Sequence, residues 1–485
     1  MIFSPKFSLG LMCGLLLTIT SACDKGAVLE NLAPDTRIFL ENIALTGPNR
    51  LNSVVQLYWS GEDRDGYVIG YEFSLDNSTW IFTENNDSTF RFDLPVGSDT
   101  VDINFYVRAI DNDDLRDPEP AYLRIPLKNL PPVARFDTVS VLPDTVFSAG
   151  TVLFSIDDSD GDETVQTVEI RMNDGPWYEL PRSSTFISFL PENPTTAGAQ
   201  GLRLFDGPTA VPLEGLLQGG VVGASNRLYV RAQDIAGSYS LIDSSKAFWL
   251  RQQQGSLLLV DDHSDAAADA LHRDILQKVY PDFDVIDIRS SRPPIWDPTL
   301  SLILGVYDKV LWYSDGSDLP SLGQQLTLEV ASASLQQFLN DGGKLFVSAK
   351  FPATFNDPSV SGLSTIFSFS PMDSLSSSPG QARIPIDSLV NPIGVIAGQL
   401  PPLVCGTFIT GADPFYLKDP NNAILDAQLV RTGNWSGPTT IGGRSTFANG
   451  ETNQVFIGVE LHRLDGDRAA LEAFLDWAMN DAFDW

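Results

Sequence analysis

Between residues 35 and 250 the apolar positions fall in short stretches that alternate with polar ones, as at 55–59, 67–73 and 103–110, and clusters of Asp, Asn, Gly or Pro separate them. Alternation with period two sets every second side chain on one face of an extended strand, and the clusters supply turn residues. No helical spacing survives across this region. Short strands with frequent turns predict β-sandwiches. At residue 255 the pattern changes. Residues 255–262 form a continuous apolar strand ending in Asp261 and Asp262, and residues 265–280 place Ala268, Leu271, Ile275, Leu276 and Val279 on one helical face. Further strands are expected at 284–288, 309–313, 344–348 and 454–459. Helices are expected at 322–341, closed by Gly342 and Gly343, and at 468–480. Apolar strands alternating with helices predict a buried parallel sheet.

A unit of the β region occurs twice. Residues 105–111 (Phe-Tyr-Val-Arg-Ala-Ile-Asp) match residues 228–234 (Leu-Tyr-Val-Arg-Ala-Gln-Asp), residues 57–76 correspond to 153–174, and each copy then reaches a Trp, Trp80 or Trp177. The same order of features in both copies marks a duplication. Trp59, the Asp63-Arg64-Asp65-Gly66 turn and Tyr106 to Ala109 with Asp111 resemble fibronectin type III and related immunoglobulin-like domains of bacterial surface proteins. The second copy carries a Gly-, Pro- and Ala-rich insertion at about 191–225, read either as a binding loop or as a surface elaboration. Leu130, Pro131 and Pro132 form a stiff boundary between the copies.

In the C-terminal region residues 257–262, 307–318 and 335–348 resemble the class I glutamine amidotransferase-like, flavodoxin-like fold. The resemblance implies a cysteine nucleophile at an elbow after the fourth strand. That place falls here at about Ala349, between Ser348 and Lys350, with Phe351 and Pro352 following. Residues 458–462 resemble the family's histidine strand and put His462 there without a nucleophile. A Ser348–His462 dyad lacks the glycines of a nucleophile elbow, and Cys405 reads as a small buried hydrophobe. No catalytic residue is assigned, and the enzyme question leans to no. The fold expected is multidomain: two all-β immunoglobulin/fibronectin III-like sandwiches (35–130 and 131–254), then an α/β flavodoxin-like three-layer domain (255–485) with an insertion at about 355–450.

The first 22 residues stand apart. Lys6 precedes an apolar run and the small residues Thr20, Ser21 and Ala22, after which comes Cys23. This is the pattern of an export signal, and residues 17–23 resemble a lipobox, which implies lipidation of Cys23 and a tether over 23–34. Cys13 leaves with the signal and Cys405 is left alone, so no intrachain disulfide is expected. The formal charge of −31, one unit more negative once Lys6 is removed, repels phosphate backbones and excludes nucleic acid as a partner. No later apolar run spans a bilayer, so the expected membrane contact is the lipid, in the bacterial cell envelope, on its periplasmic face or at the surface. Asp-Thr-Val and Asp-Ser-Leu triplets resemble O-glycosylation sites of Bacteroidetes and tilt the source toward that phylum.

Two sets of acids are candidates for binding. One lies in the sandwich turns: Glu62, Asp63, Asp65, Asp111 and Asp113 in the first copy, and Asp157, Asp158, Asp160 and Asp162 in the second. Carboxylates spaced along a loop suit calcium, the one cofactor considered, and equally suit tight turns. The other set is Asp261, Asp262 and His263 with Asp315 and Asp318, at the edge where open α/β sheets bind ligands. Three functions follow: a non-catalytic binding or scaffolding lipoprotein whose partner is an envelope protein or a glycan, an envelope hydrolase using the sheet-edge acids on glycans, and a calcium-stiffened adhesion protein.

Overall fold

The computed structural model describes residues 30–40, 54–92, 95, 98, 100–138, 141–289, 298–317, 325–351, 362–375, 382–430, 435 and 437–483. Cys23, the segment before it that is expected to be an export signal, and Asp318 lie outside them. Strands hold 45% of the chain and helices 17%, so the fold is dominated by β-sheet. The chain forms two compact units. One comprises the chain up to Pro131 with Asp158–Thr164 and Asp234–Ser238; the other comprises Pro132–Asp157, Val165–Gln233 and Tyr239–Trp485.

In the first unit, Asp35–Leu40, Val54–Glu62 and Asp87–Arg91 make an antiparallel three-stranded sheet, and Ile81–Thr83, Val68–Ser74, Thr100–Asp111 and Ala121–Lys128 make a four-stranded one. The period-two pattern explains the packing. Val55, Leu57 and Trp59 turn inward from one sheet, and Phe105, Val107, Ile125 and Leu127 from the other. Trp59 lies 6.2 Å from Phe105 and 6.4 Å from Phe73, and Phe90 lies 4.9 Å from Phe105. An aromatic ring of this kind removes about 150–250 Å² from water, which makes the cluster the main apolar content of a small core. On the outer face Arg108 covers Trp80 at 4.0 Å and its Nε donates to Glu72 at 2.8 Å. In the second copy Arg231 covers Trp177 at 4.3 Å and donates to Glu169 at 2.6 Å. The duplication read from the sequence is therefore also a duplication of side-chain contacts.

The second unit combines β layers with a mixed sheet. The Gly- and Pro-rich insertion is built into its own sheet: Gly198–Asp206 pairs with Phe186–Pro191 on one side and with Leu217–Val222 and Val211–Pro212 on the other. No flexible joint separates residues 254 and 255. Ala149 and Leu190 share a core with Leu258, Val260 and Ile303. Arg251 pairs with buried Asp284 at 3.0 Å and donates to the Val285 carbonyl, and Gln253 donates to the carbonyls of Gly255 and Val306. Residues on both sides of the boundary expected at 254/255 belong to the second compact unit.

The large sheet has nine strands in the order Phe283–Asp287, Leu257–Asp262, Lys309–Ser314, Lys344–Ala349, Thr452–Ile457, Thr440–Thr446, Ala423–Ala427, Leu389–Pro392 and Leu403–Val404. The first five are parallel and the others join antiparallel. Much of the region expected as an insertion thus extends the same sheet, because its short strands carry buried residues such as Val390, Leu403, Leu425 and Ile441 that need the common core. The helix expected at 322–341 is two helices, Thr327–Val330 and Ser332–Asn340. The last helix continues as a π-helical turn, Trp477–Ala482. Buried Lys309 and Lys344 donate to the Met479 and Phe483 carbonyls at 2.7 and 2.9 Å, so each ammonium has a carbonyl where the terminal turn has spare acceptors.

Truncating Trp59 to Ala should cost about 3–5 kcal/mol. Hydrogen exchange in denaturant should show protection lost earlier in peptides from 54–128, with peptides from 257–476 unchanged. Equal protection of the two regions in both proteins would refute the assignment of Trp59 as the centre of the first unit's core.

Candidate functional site

Leu257–Asp262, Lys309–Ser314, Lys344–Ala349 and Thr452–Ile457 run in the same direction and end side by side, with Asp262 paired to Ser314, Ser314 to Ala349 and Ser348 to Ile457. Their C-terminal edge therefore gathers Asp261 to His263, Ser314 and Asp315, Ser348 to Lys350, and the turn after Ile457. Gly316 shapes this edge. Its φ is +67°, and a Cβ there would stand 1.9 Å from the Lys350 carbonyl oxygen.

The predicted acids are brought together here, each with donors of its own. Asp262 is fully buried, and burial pushes its carboxyl up to about 6 against hydrogen bonds from Thr327, Ser314 and Trp312. Its Oδ1 has no hydrogen-bond partner and lies 3.6 Å from Arg289, which also reaches Asp315 at 3.5 Å. Asp315 accepts the amide and hydroxyl of Ser264 at 3.0 and 2.5 Å. Although burial raises its pKa, those bonds and Ser317 bring it down to about 2. Asp261 accepts the His263 amide at 3.1 Å and is pushed up by burial. The positive charge between the acids is supplied by the chain itself, through Arg289.

The chain has three histidines, and all three meet at this edge. His263 and His462 stand edge to face with ring centroids 5.0 Å apart. His272, from the helix Ala266–Val279, is fully buried and stacks on Tyr313 at 4.1 Å. Its Nδ1–H donates to the Ala268 carbonyl at 2.7 Å, and its Nε2 has no partner. Burial holds His272 down at about 3; burial, with His263 beside it, holds His462 at about 4. Glu460 faces His263 at 3.3 Å and Arg463 at 2.7 Å. Burial raises its pKa, but these partners outweigh it and hold the carboxyl at about 2.

Among the described residues, His263, Glu460 and His462 form the one group of three side chains whose ligand atoms lie within 4.8 Å of one another. Two imidazoles and a carboxylate are zinc-ligand types, and tetrahedral zinc sets its ligands about 3.3 Å apart. The His263–Glu460 distance matches that spacing, but as a hydrogen bond. His263 Nδ1 accepts the Asp265 amide at 2.9 Å, so the ring proton sits on Nε2 and points at Glu460. A metal-bound imidazole has the opposite polarity, donating from its outer nitrogen. An ion would also have to take Glu460 from Arg463.

At the position where the resemblance would put a nucleophile, Ala349 is buried, and the Ser348 hydroxyl donates to the Val459 carbonyl and accepts the Leu461 amide, both at 2.9 Å. Cys405 is buried in the antiparallel half of the core, its Sγ 3.1 Å from the Thr407 carbonyl, and burial raises its pKa.

The sandwich acids divide by exposure. Glu62, Asp113, Asp157 and Asp162 are exposed, while Asp111, Asp158 and Asp160 are buried. Asp63 and Asp158 each accept the amide two residues on, that of Asp65 and of Asp160, as in a tight turn. The sequence reading missed His272, Arg289, Glu460 and Arg463 as neighbours of His263. The legible signal was rarity, since three histidines in 485 residues are few enough to weigh each one.

No protein-family model matches the chain, and no curated protein matches it. Among solved structures it is similar to the fibronectin(III)-like modules of Clostridium thermocellum CbhA, at 14% identity over 44% of this chain and 95% of that one, with a TM-score of 0.17. It is also similar to the PKD1 domain of Vibrio anguillarum Epp, at 12% identity over 20% of this chain and 98% of that one, TM-score 0.16. A third is the SGBP-B of a Bacteroides ovatus mixed-linkage glucan utilization locus, in complex with a heptasaccharide, at 11% identity over 48% and 51% of the two chains, TM-score 0.12. With TM-scores this low, none of them lends its ligand to this chain.

The histidines carry a pH signature. The folded values of His272 and His462, about 3 and 4, lie below the ordinary histidine value of 6.5, so the unfolded chain binds more protons in between. Stability from these groups is full above pH 6.5 and is lost as pH falls toward 4 and then 3. Asp262, raised to about 6, acts in the opposite sense and equally in both proteins compared. His272→Phe keeps a ring against Tyr313 and removes the orphan nitrogen. Its unfolding free energy in urea should fall less steeply between pH 6.5 and 4 than that of the parent, by up to about 1.4 kcal/mol per pH unit. Parallel curves would refute this.

Proposed function

We propose that this chain is a lipid-tethered protein of the cell envelope that binds or scaffolds and does not catalyse. The observation that carries the reading is the filled nucleophile position: Ala349 is buried there, and Ser348 spends both its donor and its acceptor on the backbone of the neighbouring turn. The order of the five parallel strands, second-first-third-fourth-fifth along the chain, supports the flavodoxin-like resemblance, and fold does not by itself supply an activity. Arg289, seated between Asp262 and Asp315, speaks against a pair of acids sharing a water for glycan hydrolysis. The proposed partner is an envelope protein or a glycan. The lipid on Cys23 is the proposed anchor.

The purified chain should release no product above buffer from p-nitrophenyl esters, p-nitrophenyl glycosides or glutamine. Turnover that disappears in His462→Ala or Asp262→Asn would overturn the reading. In cells, Cys23→Ser should abolish incorporation of an alkyne-labelled palmitate and move the protein out of the membrane fraction; retention of the label would place the lipid elsewhere.

A further inference from the structure

The acidic turns of the two repeats hold something, and it belongs to the chain. Before the first sandwich stand Asn31, Leu32, Ala33 and Pro34; before the second stand Asn129, Leu130, Pro131 and Pro132. Asn31 Nδ2 donates to Asp111 Oδ2 at 2.6 Å, and the Leu32 amide donates to Asp65 Oδ2 at 3.2 Å. In the second copy Asn129 Nδ2 donates to Asp234 Oδ2 at 2.6 Å, and the Leu130 amide donates to Asp160 Oδ2 at 2.8 Å. Asp111 and Asp234 are the final residues of the two matching Tyr-Val-Arg-Ala strands, and Asp65 and Asp160 are the second acids of the two Asp-x-Asp-Gly turns. One pair of carboxylates thus grips one Asn-Leu dipeptide, twice, with the same atoms.

The remaining valences leave little for an ion. Asp111 Oδ1 accepts the amides of Asp113 and Leu115, both at 2.8 Å. Asp234 Oδ1 accepts the Ser238 amide at 2.8 Å, and Asn129 also reaches the Ser238 hydroxyl at 3.1 Å. Asp158 takes the Thr164 hydroxyl at 2.6 Å, while Asp63 Oδ2, its counterpart, has no hydrogen-bond partner. Calcium requires six to eight oxygen ligands, whereas these oxygens, Asp63 Oδ2 apart, face N–H and O–H hydrogens. The Leu32–Asp65 bond lies at the surface, while the strand-end acids of the grip are buried, since Asp111 and Asp234 have no exposed surface and Asn129 is 6% exposed. There a hydrogen bond to a charged acceptor is at its strongest.

We propose that the paired acids of each repeat are a receptor for the chain's own Asn-Leu-x-Pro segment, which fixes the tether at Asn31 and the linker at Asn129 by hydrogen bonds, without a metal ion. The Pro two residues after Leu fits this role, since it restricts the segment to the extended form in which amide and side chain reach the two acids together.

Hydrogen exchange on the full chain in detergent, in calcium and in EDTA, tests it. Peptides containing Leu32 and Leu130 should be protected equally in both buffers. Asn129→Ala should lower protection at Leu130 about tenfold and leave the Val165–Met172 strand unchanged. Asn129→Asp, of the same size, sets a carboxylate against Asp234 and should lower it further; Asn31→Ala should act in the same way at Leu32. Rapid exchange at Leu130 in the parent, or protection indifferent to Asn129, would overturn the proposal. Protection that appears only with calcium would assign the loops to the ion.

Discussion

A carboxylate taken out of water must be given donors, and this chain has 62 acids against 31 lysines and arginines. Several of the buried ones are satisfied by backbone amides and neutral side chains instead of by cations. Asp117 takes the Thr36 amide, Asp413 the Phe351 amide, and Asp111 an asparagine and two amides. Each such bond fixes a turn or the entry of a strand. Burying an acid without donors costs several kcal/mol, so the positions of these acids dictate where the connecting segments lie.

The same constraint shapes the sheet edge. The strand Leu257–Asp262 is buried along its whole length, and it carries two acids into the crevice where parallel sheets of this order bind ligands. Asp262 and Asp315 are bridged by Arg289, and Glu460 is held by Arg463 and His263. His272 and His462 stay neutral because the low-dielectric surroundings disfavour their charged forms. Most polar atoms of the edge are satisfied, while the Nε2 of His272 and one oxygen of Asp262 are among the described atoms that have no hydrogen-bond partner.

Packing in the second unit follows from the apolar residues that its short strands carry. Leu190 and Ala149 belong to a β layer, yet they are buried with Leu258 and Val260 of the mixed sheet. The strands after residue 380 are two to seven residues long and have no core of their own. Joining the large sheet is how they bury Leu403, Leu425 and Ile441.

The sequence by itself determined three strands of the first repeat and their counterparts in the second, the five parallel strands and two of the helices to within a few residues, because a period of two or of 3.6 is a local property. It also placed Asp261, Asp262, His263 and Asp315 on one edge, since strand ends in a parallel sheet share a side. What it could not supply is what each acid faces. Glu460 lies 197 residues from His263, Arg289 lies 26 from Asp315, and Asn129 lies 105 from Asp234. Such pairings depend on which strands become neighbours, and no local pattern encodes that. The repeated Asn-Leu-x-Pro was visible in the sequence, but only the tertiary structure gave it meaning, by bringing the two acids of each repeat to it.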